Sequence, residues 1–429
     1  MRRIAIALLF SGLALSIAIQ AQGLERTIFV DCSAAPGGDG SRRAPLPTIT
    51  AAMSVARALA GAVPQIKIDV ATGICNDETL PIRLDVPGVW LKGARSPIAH
   101  HDQRPDGQQH DDTLLMAAPL NPTVTFFVIA VPGVRISHLS IDGELSPGPD
   151  GDRPPRLTPL AVSAVRVDGF VLDHLRIQRV GQAIRSEASS GLILNNYLLG
   201  DAPLSVSGGD PIAPARVIAA NNTIIYRTAG IGVAASGPFG TFLRAKFTDN
   251  DVVTSYTNSG PSNPAAIRLA PFFSGTPDVR PTLDVVIDGN FIGGSAKYGI
   301  IVHAGQTTRR RDGRSYTGDV KARFENNVIS GAVLHPALMT FTNARATEVP
   351  CELNPTLPPG PTCPSLPNPP VYWEYLTNAR FDLQHTGELD GALIDHPALQ
   401  PVDRYPLDNV LSINGGPIGY QTFVIVPGL

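Results

Sequence analysis

The middle of the chain repeats a six-residue pattern of hydrophobic and polar positions. The first and last positions are apolar, the fourth is Leu or Asn, and the pattern occurs seven times between residues 136 and 329. Its fourth positions, which lie 21 to 40 residues apart, are Leu139, Leu175, Asn196, Asn222, Asn250, Asn290 and Asn327. A repeat of this length that tolerates insertions is typical of a solenoid, in which each coil packs on the next.

A second pattern marks the strand that opens each coil, a small residue followed by Ile or Leu. Side chains alternate between the two faces of a strand, so Ile184, Ile231, Ile267, Ile300 and Leu338 should point into the core. Coils stack about 4.8 Å apart, so the outward residues should form columns. The two predicted columns are Arg185, Gly232, Arg268, Ile301 and Met339, and Glu187, Ala234, Ala270, His303 and Phe341.

The Asn column has a structural interpretation. Asn suits a tight turn because it tolerates the left-handed conformation, and stacked Asn side chains can hydrogen-bond from coil to coil. We therefore predict that these residues shape the turn rather than catalyse. His138 and His174 stand one position earlier. A role in the turn is the preferred interpretation of this pair, and metal binding by two stacked His is the alternative.

The N-terminal part contains an ordered succession of elements. We predict strands at 27–31 and 66–70, a Gly-rich turn at 37–41, and an Ala-rich helix at 50–62. This succession resembles the N-terminal end of a right-handed parallel β-helix of the pectin-lyase-like superfamily, and the resemblance covers about residues 27–345. It implies an all-β fold, a single-stranded right-handed parallel β-helix (solenoid) whose exposed end is covered by the N-terminal capping helix.

The ends of the chain have separate predictions. Arg2 and Arg3 followed by an apolar stretch indicate a secretory signal peptide over 1–23, hence a secreted or periplasmic protein. We expect the β-helix to span 24–345, with its N-terminal cap at 27–65. A Pro-rich loop follows at 346–370, and 371–429 forms a last coil or a cap.

Composition narrows the class of partner. The net charge is −3 and no basic tract dominates, so a nucleic-acid partner is not expected. Beyond the signal there is no further membrane candidate, and we expect a monomer. The 41 Gly and 40 Pro, with few helix-favouring Lys and Glu, indicate a turn-rich β protein.

All four cysteines follow the signal. An even count in an oxidising compartment favours disulfides. Cys351 and Cys363 bracket the Pro-rich loop and are expected to pair, which leaves Cys32 with Cys75. Superfamily members typically carry a Gly-x-Tyr-x-Glu-like turn where this chain has 73–78, and Cys75 in place of the Tyr supports that pairing. The absence of Cys-x-x-Cys weakens zinc and redox interpretations.

Superfamily members that cut polysaccharides usually bind sugar along the face of the opening strands, which implies a site on the outward columns. Eliminating across a uronate requires a cation beside the carboxylate and a base for the C5 proton. Arg268 suits the first role and His303 the second. The remaining substrate-binding candidates, of which the two Tyr are candidate proton donors, are Arg185, Glu187, Tyr298, Arg310 and Tyr316.

Hydrolysis is less well supported. It needs two carboxylates, and Glu187 is the acid that the opening strands supply. The Asp pair of polygalacturonases, the Arg-Pro-Trp segment of pectin methylesterases and the calcium cluster of pectate lyases are not evident. Calcium is a possible cofactor without a clear group of ligands. An acidic loop is its candidate site, and a solvated loop is the simpler interpretation of these residues. Its acids are Asp142, Glu144, Asp150 and Asp152.

Two functions remain in competition. The first is an exported protein that acts on a polysaccharide, namely a lyase that cleaves an acidic glycan by β-elimination. The second is a non-catalytic glycan-binding or scaffold β-helix of the cell surface or periplasm, which the missing catalytic signatures favour. A trimeric adhesin-like β-helix is disfavoured by the signal and by the absence of coiled-coil heptads.

Overall fold

The computed structural model describes a set of segments along the chain. They are residues 25–94, 112–116, 124–143, 159–208, 214–227, 229–234, 242–254, 265–270, 282–293, 298–304, 319–325, 327–329, 335–341 and five short strands between 381 and 425. The predictions for the signal peptide (1–23) and for the Pro-rich loop (346–370) lie outside these residues. Among the described segments, no helix is both long enough and apolar enough to cross a membrane.

The described strands form three long sheets. Sheet 1 contains Glu25–Val30, Gln65–Val70, Trp90–Lys92, Arg135–Ser137, Asp168–Asp173, Ser190–Leu194, Ala215–Ala220, Phe242–Thr248, Thr282–Asp288, Asp319–Glu325, Phe381–Thr386, Leu411–Ile413 and Gly416–Pro417. Sheet 2 contains Ile82–Leu84, Thr125–Ile129, Leu160–Val165, Gln182–Glu187, Leu204–Ser207, Ala229–Ala234, Ala265–Ala270, Tyr298–Ala304, His335–Phe341, Leu393–Asp395 and Val424–Ile425. Sheet 3 contains Gly73–Cys75, Thr113–Met116, Ser140–Asp142, Arg176–Val180, Tyr197–Gly200, Thr223–Tyr226, Asp251–Thr254, Phe291–Gly293 and Val328–Ile329.

The pairing of these strands confirms the solenoid. Neighbours in each sheet come from successive coils and run parallel, apart from the antiparallel pair Leu411–Ile413 and Gly416–Pro417. The chain passes from sheet 2 to sheet 1 to sheet 3 within a coil and then begins the next one. Strands at Phe381–Thr386 and Leu393–Asp395 extend sheets 1 and 2. The molecule is therefore a parallel β-helix, as predicted.

The core is built from columns of equivalent apolar residues. The first position of the repeated pattern forms one such column in sheet 1, where each member pairs in register with the next. All are fully buried, and they are Ile136, Leu172, Ile193, Ala219, Phe247 and Ile287. Because burying one large apolar side chain contributes about 1.5–3 kcal/mol, such columns hold successive coils together.

The Asn column forms a continuous hydrogen-bonded ladder, as predicted. Each side-chain Nδ2 donates to the Oδ1 of the next coil, at 2.9 Å from Asn196 to Asn222 and 2.9 Å from Asn222 to Asn250. The ladder continues at 2.8 Å from Asn250 to Asn290 and 3.0 Å from Asn290 to Asn327. The backbone N–H of Asn196, Asn222, Asn250 and Asn290 donates to the same Oδ1 acceptor. The ladder thus binds each turn to the turn that follows it.

The predicted conformation of the Asn position is wrong by one residue. The left-handed residue is the third of the six, not the fourth, and its φ lies between 53° and 65° in every described turn of this kind. These residues are His138, His174, Asn195, Asn221, Asp249 and Gly289. The third residue bends the chain from a strand of sheet 1 into a strand of sheet 3, whereas the fourth points its side-chain amide into the buried ladder.

The N-terminal helix spans Ile49–Leu59 and covers the first strands of the core. Its buried side chains include Ile49 and Met53, which join the hydrophobic core cluster. Thr48 is the N-cap residue, and its Oγ1 accepts a hydrogen bond from the backbone N–H of Ala51 at 3.0 Å. The predicted helix is therefore confirmed, with slightly different ends.

One predicted disulfide is present. Cys32 follows the first strand and is bonded to Cys75 in sheet 3, with a Cα–Cα distance of 5.2 Å. The bridge ties the turn after Glu25–Val30 to Gly73–Cys75 across 43 residues of sequence. The predicted partners Cys351 and Cys363 lie outside the described residues.

Candidate functional site

The outward positions of sheet 2 form two columns, as predicted, but with one more coil than expected. Arg185 pairs in register with Ser205, Ser205 with Gly232, and Gly232 with Arg268. The strand Leu204–Ser207 supplies a coil that the predicted columns do not contain. Arg185 is therefore three strands from Arg268, not two, or about 14 Å at the usual strand spacing.

The surface between these two arginines is built from small side chains. Ser205 and Gly232 lie in one column, and Ser207 and Ala234 lie beside them in the other. Within the described part of the chain, a Cβ added at Gly232 would meet no atom closer than the backbone oxygen of Leu204, at 3.8 Å. We call this surface, formed by Ser205, Ser207, Gly232 and Ala234 with Arg185 and Arg268 at its ends, the sheet-2 strip. The described side chains of its floor are small, so they leave room for an extended chain close to the backbone.

The two predicted substrate ligands at the first end of the strip bind each other. A guanidinium nitrogen of Arg185 lies 2.5 Å from a carboxylate oxygen of Glu187, and the two side chains are 48% and 19% exposed. Glu187 pairs in register with the exposed Val165 on one side and with Ser207 on the other. The ion pair offsets both charges, so this end is close to neutral.

Arg268 stands exposed at the other end of the strip. Partial removal from water lowers the pKa of Arg268 below the ordinary value of a guanidinium. A guanidinium remains protonated at neutral pH despite such a shift. Arg268 therefore supplies a positive charge at the place where the strip meets the strand Tyr298–Ala304.

The backbone register places His303 on the strand next to Arg268. Arg268 pairs with Ile301, so His303 lies one strand across and two residues along, about 8 Å between Cα atoms. Tyr298 pairs with Ala265, five residues before His303 and about 16 Å away along the strand. The register thus brings His303 and Arg268 together and separates Tyr298 from His303. The predicted ligands Arg310 and Tyr316 lie outside the described residues.

The predicted register of the next strand is wrong by one residue. Ile300 pairs with Ala337, Ile301 with Leu338 and His303 with Thr340. The sequence pattern instead predicts Leu338 beside Ile300, Met339 beside Ile301 and Phe341 beside His303. A slip of one residue exchanges the inward and outward faces of a strand, and a pattern of small and apolar residues cannot distinguish the two registers here.

Groups of neighbouring metal-ligating side chains are scarce among the described residues. The one group of three or more neighbouring metal-ligating residues that they contain is Cys32, Cys75 and Glu78, of which the cysteines form the disulfide. Asp142 of the predicted acidic site is buried, and its carboxylate accepts hydrogen bonds from Gln178 at 2.8 Å and from Arg179. The carboxylate of Asp142 is thus hydrogen-bonded to residues of the next coil. Glu144, Asp150 and Asp152 lie outside the described residues.

Glu78 caps the N-terminal helix, a role that the sequence pattern does not predict. Its carboxylate accepts hydrogen bonds from the backbone N–H of Ile49 at 2.5 Å and of Thr50 at 2.9 Å. These N–H groups belong to the first turn of the helix, where no carbonyl within the helix can accept them. The only sequence signal was the place of Glu78 at the end of the Gly-x-Tyr-x-Glu-like turn.

Known proteins resemble this chain only distantly. No protein-family model matches the sequence, and no curated protein is similar to it. Among solved structures, the chain is similar to a rhamnogalacturonan lyase, with 9% identity, 74% of this chain and 73% of the other covered, and a TM-score of 0.43. A pectin methylesterase from Erwinia chrysanthemi has 12% identity, with 88% of this chain and 91% of the other covered and a TM-score of 0.41. A pectate lyase has 9% identity, with 74% of this chain and 76% of the other covered and a TM-score of 0.38.

Likenesses this distant carry no information about the reaction. The pairing of the chain's own strands carries the fold, because three parallel sheets are extended coil by coil along most of the sequence. The chain is accordingly a parallel β-helix.

Proposed function

We propose that this protein is an exported, monomeric polysaccharide lyase that binds an acidic glycan along the sheet-2 strip. The observation that carries the proposal is the register of Arg268 against the strand that holds His303. In this register, Arg268, a permanent cation, and His303, a titratable base, belong to adjacent strands. Both strands lie at the end of the sheet-2 strip with its small side chains. An extended chain of sugars fits such a floor, and its carboxylates match the cation.

The proposed reaction uses these two residues in different roles. The Arg268 guanidinium pairs with the uronate carboxylate through two parallel hydrogen bonds and stabilises the negative charge that develops on it. The neutral imidazole of His303 takes the C5 proton. The C5–H and C4–O bonds break, a C4=C5 double bond forms, and the leaving oxygen collects a proton from solvent. Arg185 and Glu187 then contact sugars farther along the strip.

The reaction has a direct assay. Purified protein is incubated with alginate, pectate and glycosaminoglycans, and the ultraviolet absorbance of the new C=C bond is followed. His303→Ala should lower kcat on the responding polymer about 100-fold or more, because a general base typically contributes that much. Arg268→Ala should lower kcat/KM, whereas Arg216→Ala, which removes an exposed arginine of sheet 1, should change neither value. Full activity in His303→Ala would sink the mechanism.

A non-catalytic glycan-binding protein is the second candidate, and one observation favours it. On the strands from Leu160–Val165 to Ala265–Ala270, the described outward positions of sheet 2 contain one carboxylate, that of Glu187, and it is bound to Arg185. A binding protein needs no second acid and no metal. It predicts retention of an acidic glycan that weakens in Arg268→Ala, with no rise in absorbance for any polymer.

A further inference from the structure

The outward column of sheet 2 continues beyond the sheet-2 strip toward the N-terminal end of the molecule. Ser163 pairs in register with Arg185. Val128 pairs with Ser163 on the next strand, and Arg83 pairs with Val128 on the one after it. Arg83, Arg185 and Arg268 therefore occupy every third strand of one column. We propose that Arg83 is a glycan-binding residue and that the bound chain spans seven strands of sheet 2, from Arg83 to Arg268.

The spacing of the three arginines suits an extended chain of acidic sugars. Neighbouring strands lie about 4.8 Å apart, so successive arginines are about 14 Å apart and the column measures about 29 Å. An extended pyranose chain advances by roughly one strand spacing per sugar, so it meets an arginine beside about every third sugar. Carboxylates pair with guanidinium groups through charge-assisted hydrogen bonds, so the pattern favours a polyuronate over a neutral glycan.

The N-terminal end of the column carries a surplus positive charge, because two arginines share the carboxylate of Asp85. Nε of Arg57, a residue of the capping helix, donates to Oδ1 of Asp85 at 2.8 Å. Nε of Arg83 lies 3.9 Å from Oδ2, which is too far for a hydrogen bond. The Arg83 side chain is 64% exposed and forms no other ion pair within the described part of the chain. Its guanidinium can therefore donate to a carboxylate of the ligand.

The middle of the column is close to neutral. Arg185 is paired with Glu187, which offsets its charge. Val128 and Ser163, between the first two arginines, are uncharged and partly exposed. Val165, which is 39% exposed, lies in the neighbouring column beside Glu187. The described side chains thus form two positive ends joined by a surface that contacts sugars without attracting charge.

This inference rests on the proposed function for the class of glycan, but it makes a separate statement about chain length. The strip between Arg185 and Arg268 accommodates about four sugars, and the whole column accommodates about seven. A short oligomer bound beside Arg268 and His303 does not reach Arg83. A longer oligomer does, so the second positive end should hold it more tightly.

Binding of oligomers of two lengths tests the inference. Uronate oligomers of about four and about eight sugars are prepared from pectate and from alginate. Their dissociation constants are measured by calorimetry on His303→Ala protein, in which the proposed base is absent. The longer oligomer should bind about tenfold more tightly, because a further hydrogen bond to a charged group contributes about that factor. Arg83→Ala should remove this gain without changing the affinity for the shorter oligomer, and high salt should reduce the gain.

Two further variants separate Arg83 from a general effect of charge. Arg216→Ala removes an exposed arginine of sheet 1 and should bind both oligomers like the parent protein. Asp85→Asn should tighten binding of the longer oligomer alone, because it removes the negative charge beside Arg83. Circular dichroism checks that each variant is folded.

The outcomes distinguish this inference from the proposed reaction. Equal affinities for the two lengths, or a length gain that persists in folded Arg83→Ala, would overturn the inference and leave the lyase proposal standing. Length-dependent binding that Arg83→Ala removes, without cleavage of either polymer by wild-type protein, would support the inference and contradict the lyase. If neither oligomer binds, both are wrong.

Discussion

The side-chain amide of each Asn in the ladder forms hydrogen bonds with neighbouring coils on both sides. Asn222 is 1% exposed, and its Nδ2 donates to the carbonyl of Ile193 at 2.9 Å and to Asn250 at 2.9 Å. Its Oδ1 accepts from the backbone N–H of Asn196 at 3.0 Å and from the Asn196 side chain at 2.9 Å. No smaller or apolar side chain can replace both functions, since buried polar groups on the adjacent coils would lose their partners.

Asn222→Ala should therefore be strongly destabilising. We expect the free energy of unfolding to fall by roughly 2–4 kcal/mol, because buried donors and acceptors are left unpaired. Asn221→Gly is the control, since Asn221 is left-handed with a φ of 54° and Gly adopts that conformation freely. Urea unfolding of the two variants compares them directly, and equal stabilities would contradict the assignment of the ladder to the fourth position.

His138 should also make stability depend on pH. Its pKa is lowered from 6.5 in the folded protein by burial, by His174 and by the charges of Lys92 and Arg135. The unfolded chain then binds a proton more readily, so the contribution of His138 is complete above pH 6.5 and is lost as the pH falls below it. His138→Asn should flatten this decline, measured as urea midpoints at about pH 7.5 and about pH 5.5. An unchanged slope would rule His138 out as its source.

At the scale of elements, the N-terminal helix is held at its first turn by a residue from a later strand connection. Thr48 accepts from one N–H of that turn, and Glu78 accepts from two more and from the Thr50 hydroxyl at 2.7 Å. A carboxylate at a helix N-terminus also interacts favourably with the helix dipole. The helix is thus fastened to the segment that follows Cys75, next to the disulfide.

Glu78→Gln should loosen this helix. The amide keeps the size of the side chain but retains one acceptor oxygen and no charge, so we expect a loss of about 1–2 kcal/mol in the free energy of unfolding. The neighbouring Asp77 is exposed, and Asp77→Asn should stay within about 0.5 kcal/mol of wild type. Chemical denaturation of both variants is the measurement, and a neutral Glu78→Gln would show that the cap contributes nothing.

At the scale of the whole molecule, the sheet-2 strip is a surface formed jointly by several coils. Its residues come from four successive coils, between Arg185 and Arg268, and its openness depends on the small side chains of the two middle coils. Glycan binding along the coil axis would therefore respond to a bulky substitution at the centre of the strip, even where the fold does not.

Gly232→Gln tests the strip as a binding surface. Among the described residues, a Cβ at this position meets no atom closer than 3.8 Å, so we expect the variant to fold. On a polymer that wild-type protein retains, binding should weaken about tenfold, or by about 1.4 kcal/mol. Gln substituted for Ile218, an exposed residue of sheet 1, is the control and should bind like wild type. Unchanged affinity in Gly232→Gln would place the ligand elsewhere.

The repeated pattern predicted a solenoid with an Asn column, and the resemblance of the N-terminal part to parallel β-helix proteins identified the fold. The pairing of Cys32 with Cys75 was predicted from the expected pairing of Cys351 with Cys363, and Cys75 in the family's turn supported it. The sequence also identified Arg268 and His303 as neighbours, since both follow the same small-residue and Ile signal. Their catalytic roles stay predictions.

Only the tertiary structure decided the extra coil at Leu204–Ser207, the register of His335–Phe341 and the residue that takes the left-handed conformation. It also decided that Asp173 contacts His174 and that Glu78 caps the helix. These features depend on which residue of one coil lies opposite which residue of the next. Spacing along the chain cannot reveal this, because coils differ in length and a shift of one residue reverses the two faces of a strand.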